Sequence, residues 1–188
     1  MKFDKERYRT AKPRARAIVL TADKFEDFEL FFPYFRLVEA GVAVDVAAPV
    51  KEKLTGENGY FFENVDLTID EVDPQNYDLL FIPGGHPHGA PATVRRSAKA
   101  QEIARAFFAA NKPVAAICHG PYLLLSAGLV RGRRLTSFWG DGVPDEIRAA
   151  GGIFEDRDVV VDGNLVTSRW PMDLPAFMRE VLKMIDAA

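Results

Sequence analysis

The sequence predicts an α/β fold built on a mostly parallel sheet with helices on both faces. Apolar runs alternate with stretches of helical periodicity along nearly the whole chain. The runs are apolar throughout, as strands buried on both faces are. The segments between them are long enough for helices of roughly 10 to 18 residues, which implies right-handed crossovers.

Taken in order, Ala15 to Ala22 reads as the first buried strand, after a polar arm over Met1 to Pro13. Glu26 to Ala40 reads as a helix closed by Gly41, with Phe28, Phe31, Phe32, Phe35 and Leu37 available for its inner face. Val42 to Ala48 is a second strand, and Tyr60 to Val65 a short excursion or hairpin. Asp78 to Ile82 is a core strand that ends in Pro83-Gly84-Gly85. A helix over Thr93 to Ala110 leads to a strand over Pro113 to Ile117, and a further helix covers His119 to Ala127. Leu135 to Phe138, Val159 to Val161 and Leu165 to Ser168 read as later strands. Leu174 to Ile185 is the closing helix. With no repeat or linker, residues 14–188 are expected to form one domain.

Composition narrows the function classes. Of 188 residues, 48% are hydrophobic and 27% charged, within the usual range for a globular chain. A net charge of -3 offers nothing to nucleic acid or an anionic membrane. No apolar run approaches the roughly 20 residues that span a bilayer. The charged N-terminus lacks a signal-like apolar stretch, and a single cysteine forms no internal disulfide. These features predict a cytoplasmic protein with a reduced thiol.

That cysteine, Cys118, lies in Val114-Ala-Ala-Ile-Cys-His-Gly-Pro121, where a buried strand breaks into a helix. A sharp strand-to-helix turn pushes a nucleophile out of the sheet, over N–H groups that favour a thiolate. A free thiol, with a pKa near 8.5, is only about 3% ionised at neutral pH, so the turn matters. The plain alternative is a buried structural thiol. Ligands in such sheets sit beyond the carboxyl ends of the strands. Three loops leave those ends: Thr21 to Glu26, Pro83 to Gly89, and Cys118 to Gly120.

Glu26 has two readings. As a buried, protonated carboxyl it would hydrogen-bond the Cys118 sulfur, share its proton and titrate with it as a pair. As an acidic residue at a helix start it would be an N-terminal cap, which composition alone favours. His119 is a general acid/base candidate if its ring folds back towards the sulfur. The backbone N–H groups of Gly85 and His119 could form an oxyanion hole, while Gly84-Gly85 also suits a tight turn. His86 and His88 make half a metal site at most, and a surface turn is the simpler reading. No cofactor and no metal are expected.

Ala116-Ile-Cys-His-Gly-Pro121 resembles the nucleophile motif of the PfpI/ThiJ superfamily, and the match runs through nearly all the chain after residue 15. Leu20-Thr-Ala-Asp-Lys-Phe-Glu-Asp27 is similar to its first loop, with Glu26 as the glutamate. Leu80-Phe-Ile-Pro-Gly-Gly-His86 is similar to its glycine turn, and residues 127–136 and 159–169 to its later segments. The resemblance is closest to the PfpI-type branch. It implies a flavodoxin-like three-layer sandwich, of the class I glutamine amidotransferase-like kind, working as a homodimer or higher oligomer. It implies Cys118 as nucleophile, His119 as partner, Glu26 as the thiol's carboxyl neighbour, and Gly85 and His119 as backbone donors.

The activities implied are glyoxalase III-type conversion of methylglyoxal, deglycation of early glyoxal adducts, and intracellular peptidase chemistry, in a setting of stress protection. Peptidase-type members orient their histidine with an acid from a neighbouring subunit. Here Ala92 stands at that position in a longer stretch without Asp or Glu. This weakens the cysteine-peptidase reading and leaves chemistry on small aldehydes or glycated substrates less affected. The contrasting class is a redox sensor or chaperone whose Cys118 oxidises reversibly.

Overall fold

A computed structural model of the chain describes Asp4 and residues 12–187. The expected N-terminal arm lies mostly outside the described residues. Strand β1 (Ala15–Leu20), helix α1 (Asp27–Glu39) and strand β2 (Val42–Ala48) open the fold. Short strands β3 (Leu54–Thr55), β4 (Phe61–Phe62) and β5 (Leu67–Thr68) follow, then β6 (Leu79–Ile82). Helices α2 (Ala90–Arg96) and α3 (Ala98–Ala109) lead to β7 (Val114–Ile117) and α4 (Pro121–Ser126). After β8 (Arg134–Leu135), α5 (Val143–Ala149) and β9 (Ile153–Phe154), the chain closes with β10 (Val159–Asp162), β11 (Leu165–Ser168) and α6 (Leu174–Ala187).

Seven strands make the central sheet in the order β10-β11-β7-β6-β1-β2-β5. All neighbours pair in parallel except β10 with β11. Every residue of β6, β7 and β11 is buried, because helices cover both faces. Helices α1 and α6 pack together on one layer, and α2, α3 and α4 on the other. Phe81 and Phe177 pack their rings at 5.9 Å where α6 meets the sheet.

The fold class and the order of the main strands follow the sequence reading, with local differences. The helix expected over Thr93 to Ala110 is two helices. Ser97 adopts extended backbone and its Oγ accepts the Ala100 N–H at 3.1 Å, so a capping side chain ends one helix and starts the next. The strand expected over Leu135 to Phe138 is only Arg134–Leu135, pairing with β9 outside the main sheet. The chain then turns away because the Phe138 N–H goes to the Cys118 carbonyl at 3.0 Å. The excursion near Tyr60 is the hairpin β3–β4. Helix α5 and edge strand β5 have no counterpart in the sequence reading, being seven and two residues long.

Candidate active site

The strand-to-helix turn after β7 holds Cys118 at φ 60, left-handed backbone that a side chain adopts only at about 1–2 kcal/mol. Its neighbours fix it there: Cys118 N–H donates to the Ser168 carbonyl and Cys118 C=O accepts from Phe138 N–H, both at 3.0 Å. Gly120 N–H closes the turn on the Ile117 carbonyl at 2.7 Å. A Cβ on Gly120 would lie 2.4 Å from the Ile82 carbonyl oxygen, so the turn nests against β6 only with glycine. The thiol is 7% exposed.

The loop after β6 folds over the sulfur. Gly84 lies so close that a Cβ there would be 2.6 Å from both Cys118 Cβ and Glu29 Oε2. The backbone N–H groups of Gly85 and His119 both face the Cys118 sulfur and favour its anionic form. The loop after β1 is stitched to this one. Phe25 bridges Gly85, Glu26 N–H donates to the Gly84 carbonyl at 3.2 Å, and His86 N–H donates to the Lys24 carbonyl at 3.0 Å. Thus the three loops singled out at the strand ends converge on one sulfur.

The carboxyl beside that sulfur belongs to Glu29, and the reading of Glu26 as the thiol's carboxyl neighbour is corrected. Glu26 is buried, but its Oε2 accepts the Glu29 N–H at 2.8 Å and caps α1. Burial, with Glu57 and Asp27 nearby, pushes the Glu26 carboxyl up to about 7 against the hydrogen bond it accepts. Glu29, one turn further on, is fully buried; its Oε2 accepts the Gly84 N–H at 2.8 Å and Oε1 has no partner within ordinary hydrogen-bond geometry. Its carboxyl is the one in electrostatic reach of the Cys118 thiol. Burial first, then the nearby Glu26, raises Glu29 well above the usual carboxylate range.

Burial also raises the thiol, and an ionised Glu29 would raise it further. Glu29 is the more deeply buried of the two and keeps its proton, so it meets the sulfur as a donor. Burial thus disfavours charge on both the thiol and the carboxyl. Burial works against the backbone N–H groups of Gly85 and His119, which favour the thiolate.

The His119 ring folds back, with Nδ1 3.3 Å from Cys118 Sγ. Tyr122 and Phe138 flank it at 5.5 and 5.1 Å, and burial lowers its pKa, so the imidazole is a neutral base. On its far side Nε2 lies 3.3 Å from Asp141 Oδ2. The contact is close but off the N–H axis, so it acts through charge and leaves Nε2 without an aligned hydrogen bond. An acid thus stands at His119 after all. Ala92 is buried in α2, and the carboxylate comes from the loop between β8 and α5. Beyond Phe138, Trp139 and Trp170 form an exposed aromatic rim, with ring centroids 5.2 Å apart.

His86 and His88 sit in the turn before α2, where the His88 N–H donates to His86 Nδ1 at 3.3 Å. No group of three possible metal ligands gathers among the described residues. The sequence reading missed two groups, Glu29 and Asp141. Glu29 had a signal: with Pro33 and Leu37 it falls every fourth residue on the buried stripe of α1, an unusual place for an acid. Asp141 had none, since only the tertiary path of its loop brings it to His119.

Against known proteins, residues 15–184 match the model of the DJ-1/PfpI family. A deglycase of Pyrococcus abyssi is 50% identical over 170 residues, covering 90% of this chain and 99% of that protein. The protein/nucleic acid deglycase 2 of Escherichia coli is 40% identical over 171 residues, covering 90% and 96%. Among solved structures, a two-domain protein of Anabaena variabilis with DJ-1/ThiJ/PfpI-like and ferritin-like domains superposes with a TM-score of 0.84 at 33% identity. That superposition spans 92% of this chain and 48% of the other.

Proposed function

The chain belongs to the DJ-1/PfpI family, and on that premise we propose that it is a cysteine-dependent stress-response enzyme acting on small dicarbonyls or their early adducts. One observation carries the reading: Cys118, on a strained turn, lies between a buried carboxyl and an imidazole nitrogen 3.3 Å from its sulfur. The relatives named as deglycases support the same substrate class.

With methylglyoxal, the thiol proton passes to His119 Nδ1 as sulfur adds to the aldehyde carbon, giving a hemithioacetal. The N–H groups of Gly85 and His119 receive the oxyanion; such a donor typically contributes about 3 kcal/mol. His119, neutral again once its proton has passed to the oxyanion, then takes the proton from the first carbon and delivers it to the second. Glu29, as an acid, supplies and recovers the proton on the carbonyl oxygens, leaving a lactoyl thioester. Water hydrolyses the thioester to lactate and restores the thiol. With an adduct as substrate, sulfur displaces the amine at the carbinol carbon, and the amine leaves with the proton held by His119. The hemithioacetal so formed follows the same proton transfer and hydrolysis. The test is lactate and amine release from methylglyoxal, glyoxal, a glycated amino acid and a peptide, with wild type and Cys118→Ala. Turnover by Cys118→Ala equal to wild type overturns the reading.

A hydrolase acting on peptides is the second reading, favoured by the acid near His119. Casein cleavage lost in Cys118→Ala supports it, and intact casein removes it. Self-association as a homodimer or higher oligomer is also proposed. Phe28, Phe35, Tyr60 and Phe61 are exposed around an apolar groove of about 460 Å³ beside α1, more aromatic surface than one chain usually leaves to water. The setting proposed is the cytoplasm.

A further inference from the structure

We propose that Asp141 is the positioning residue for His119, supplied by the same chain: its carboxylate holds the proton on Nε2, so that Nδ1 is the lone pair that takes the Cys118 proton. Sulfur lies 3.3 Å from Nδ1 and a carboxylate oxygen 3.3 Å from Nε2, with the Gly85 carbonyl as a further acceptor near the ring. A neutral imidazole carries one proton and one lone pair, and the partner of one nitrogen decides the role of the other. An anionic oxygen next to Nε2 repels a lone pair there and attracts N–H. Sulfur therefore faces the basic nitrogen.

The loop that carries Asp141 is fastened to its own chain at both ends. Phe138 N–H donates to the Cys118 carbonyl, the Tyr122 hydroxyl reaches the Asp141 carbonyl at 3.5 Å, and Arg95 pairs with Glu146 in α5 at 2.9 Å. Asp141 stands at φ 55 between Gly140 and Gly142, and its carboxylate remains 52% exposed. Its Oδ2 is close to Nε2 but off the N–H axis. A site with its own acid needs no carboxylate from a second subunit.

During attack the S–H bond breaks, an N–H bond forms at Nδ1, and the imidazolium stands between thiolate and carboxylate. The proton returns from Nδ1 to the departing group when the adduct collapses. The groups facing the ring are few. Cys118, with Glu29 behind it, lies on one side and Asp141 on the other; His86 and the Gly85 backbone approach from the loop after β6, and Tyr122 from α4 beneath Arg95. The Gly85 carbonyl is the competing acceptor, and a proton drawn to it would reverse the tautomer.

The chemistry of the thiol is testable without any substrate, so failure here and failure of the proposed function are distinguishable. Asp141→Gly removes the carboxylate at a backbone angle that glycine accepts freely, and Asp141→Asn keeps an acceptor without charge. Nitrogen-15 NMR of the His119 ring is expected to show Nε2–H in wild type and a shift towards Nδ1–H in Asp141→Gly. Iodoacetamide alkylation of Cys118 at pH 7 is expected to slow about two- to fivefold in Asp141→Gly, the size set by a half-exposed charge pair. Asp141→Asn should fall between. A wild-type Nδ1–H tautomer, or alkylation unchanged in Asp141→Gly, overturns the assignment. Co-folding Cys118→Ser with Asp141→Gly subunits should give no more methylglyoxal turnover than the two apart. Recovery towards wild type would place the carboxylate in trans and overturn the same-chain claim.

Discussion

The Glu29 carboxyl and the Cys118 thiol meet across Gly84, where an added Cβ would come within 2.6 Å of each side chain. Glu29 is fully buried and has one oxygen on the Gly84 N–H. Burial therefore favours the protonated carboxyl, the form that can donate to the sulfur.

Glu29→Gln keeps an acceptor for Gly84 N–H and a donor for the sulfur, but cannot exchange a proton. It should fold with nearly wild-type stability, keep Cys118 open to alkylation, and lose roughly 10²- to 10⁴-fold in kcat for methylglyoxal. Turnover within twofold of wild type would remove Glu29 from the proton path. Glu26→Gln retains the cap's acceptor and should lower kcat far less.

Gly84→Ala forces a methyl into the gap between thiol and carboxyl. Overpacking of this kind typically destabilises by about 1–3 kcal/mol, or some 2–10 °C in a chain of this length. The expected result is a folded protein of lower Tm in which Cys118 alkylation and turnover are both impaired. A crystal structure of the variant with the Glu29–Cys118 contact unchanged would contradict it.

The carboxyl cluster sets a pH dependence of stability. Glu26 is raised in the folded state from 4.5 to about 7, so the folded chain holds the extra proton between those values. Its contribution is complete below pH 4.5 and is lost as pH rises through 7. His119, lowered by burial, acts in the opposite sense and contributes stability that fades as pH falls below 6.5. Comparing wild type with Glu26→Gln isolates the first effect. The variant should gain roughly 2–4 °C relative to wild type at pH 8 over its standing at pH 5, read by calorimetry. Parallel Tm curves would dismiss the Glu26 shift.

Activity that needs neutral His119 should persist to more acid pH than an ordinary imidazole allows, because burial lowers its pKa. The acid limb of kcat/KM should fall below pH 6.5, and an acid limb above that value would show the ring is better solvated than its 4% exposure implies.

Phe28 is 63% exposed beside Tyr60 and Phe61, so Phe28→Glu should cost little in folding and weaken any self-association through this groove. Light scattering is expected to give a multiple of the chain mass for wild type and a smaller mass for the variant. A monomeric wild type would leave the aromatic face without that role.

Much of this was legible in the chain itself. Continuous apolar runs over Ala15–Leu20, Leu79–Ile82, Val114–Ile117 and Leu165–Ser168 require strands covered on both faces, and their spacing requires crossovers. A cysteine between Ile117 and His119-Gly120-Pro121 has to stand at a strand end, because the glycine and proline cannot continue the ladder. The choice of acids was only partly legible, through the place of Glu29 on the buried stripe of α1. Glu26 and Glu29 differ by three positions, and which one reaches the sulfur depends on how α1 rotates when Leu30, Pro33, Tyr34 and Leu37 bury themselves. Asp141 reaches His119 only because two hydrogen bonds fold a glycine-flanked loop back over the turn. Periodicity is a local consequence of backbone geometry and can be read from neighbours. An imidazole–carboxylate contact across 22 residues, or a helix rotation set by distant packing, exists only once the sheet has brought its partners together.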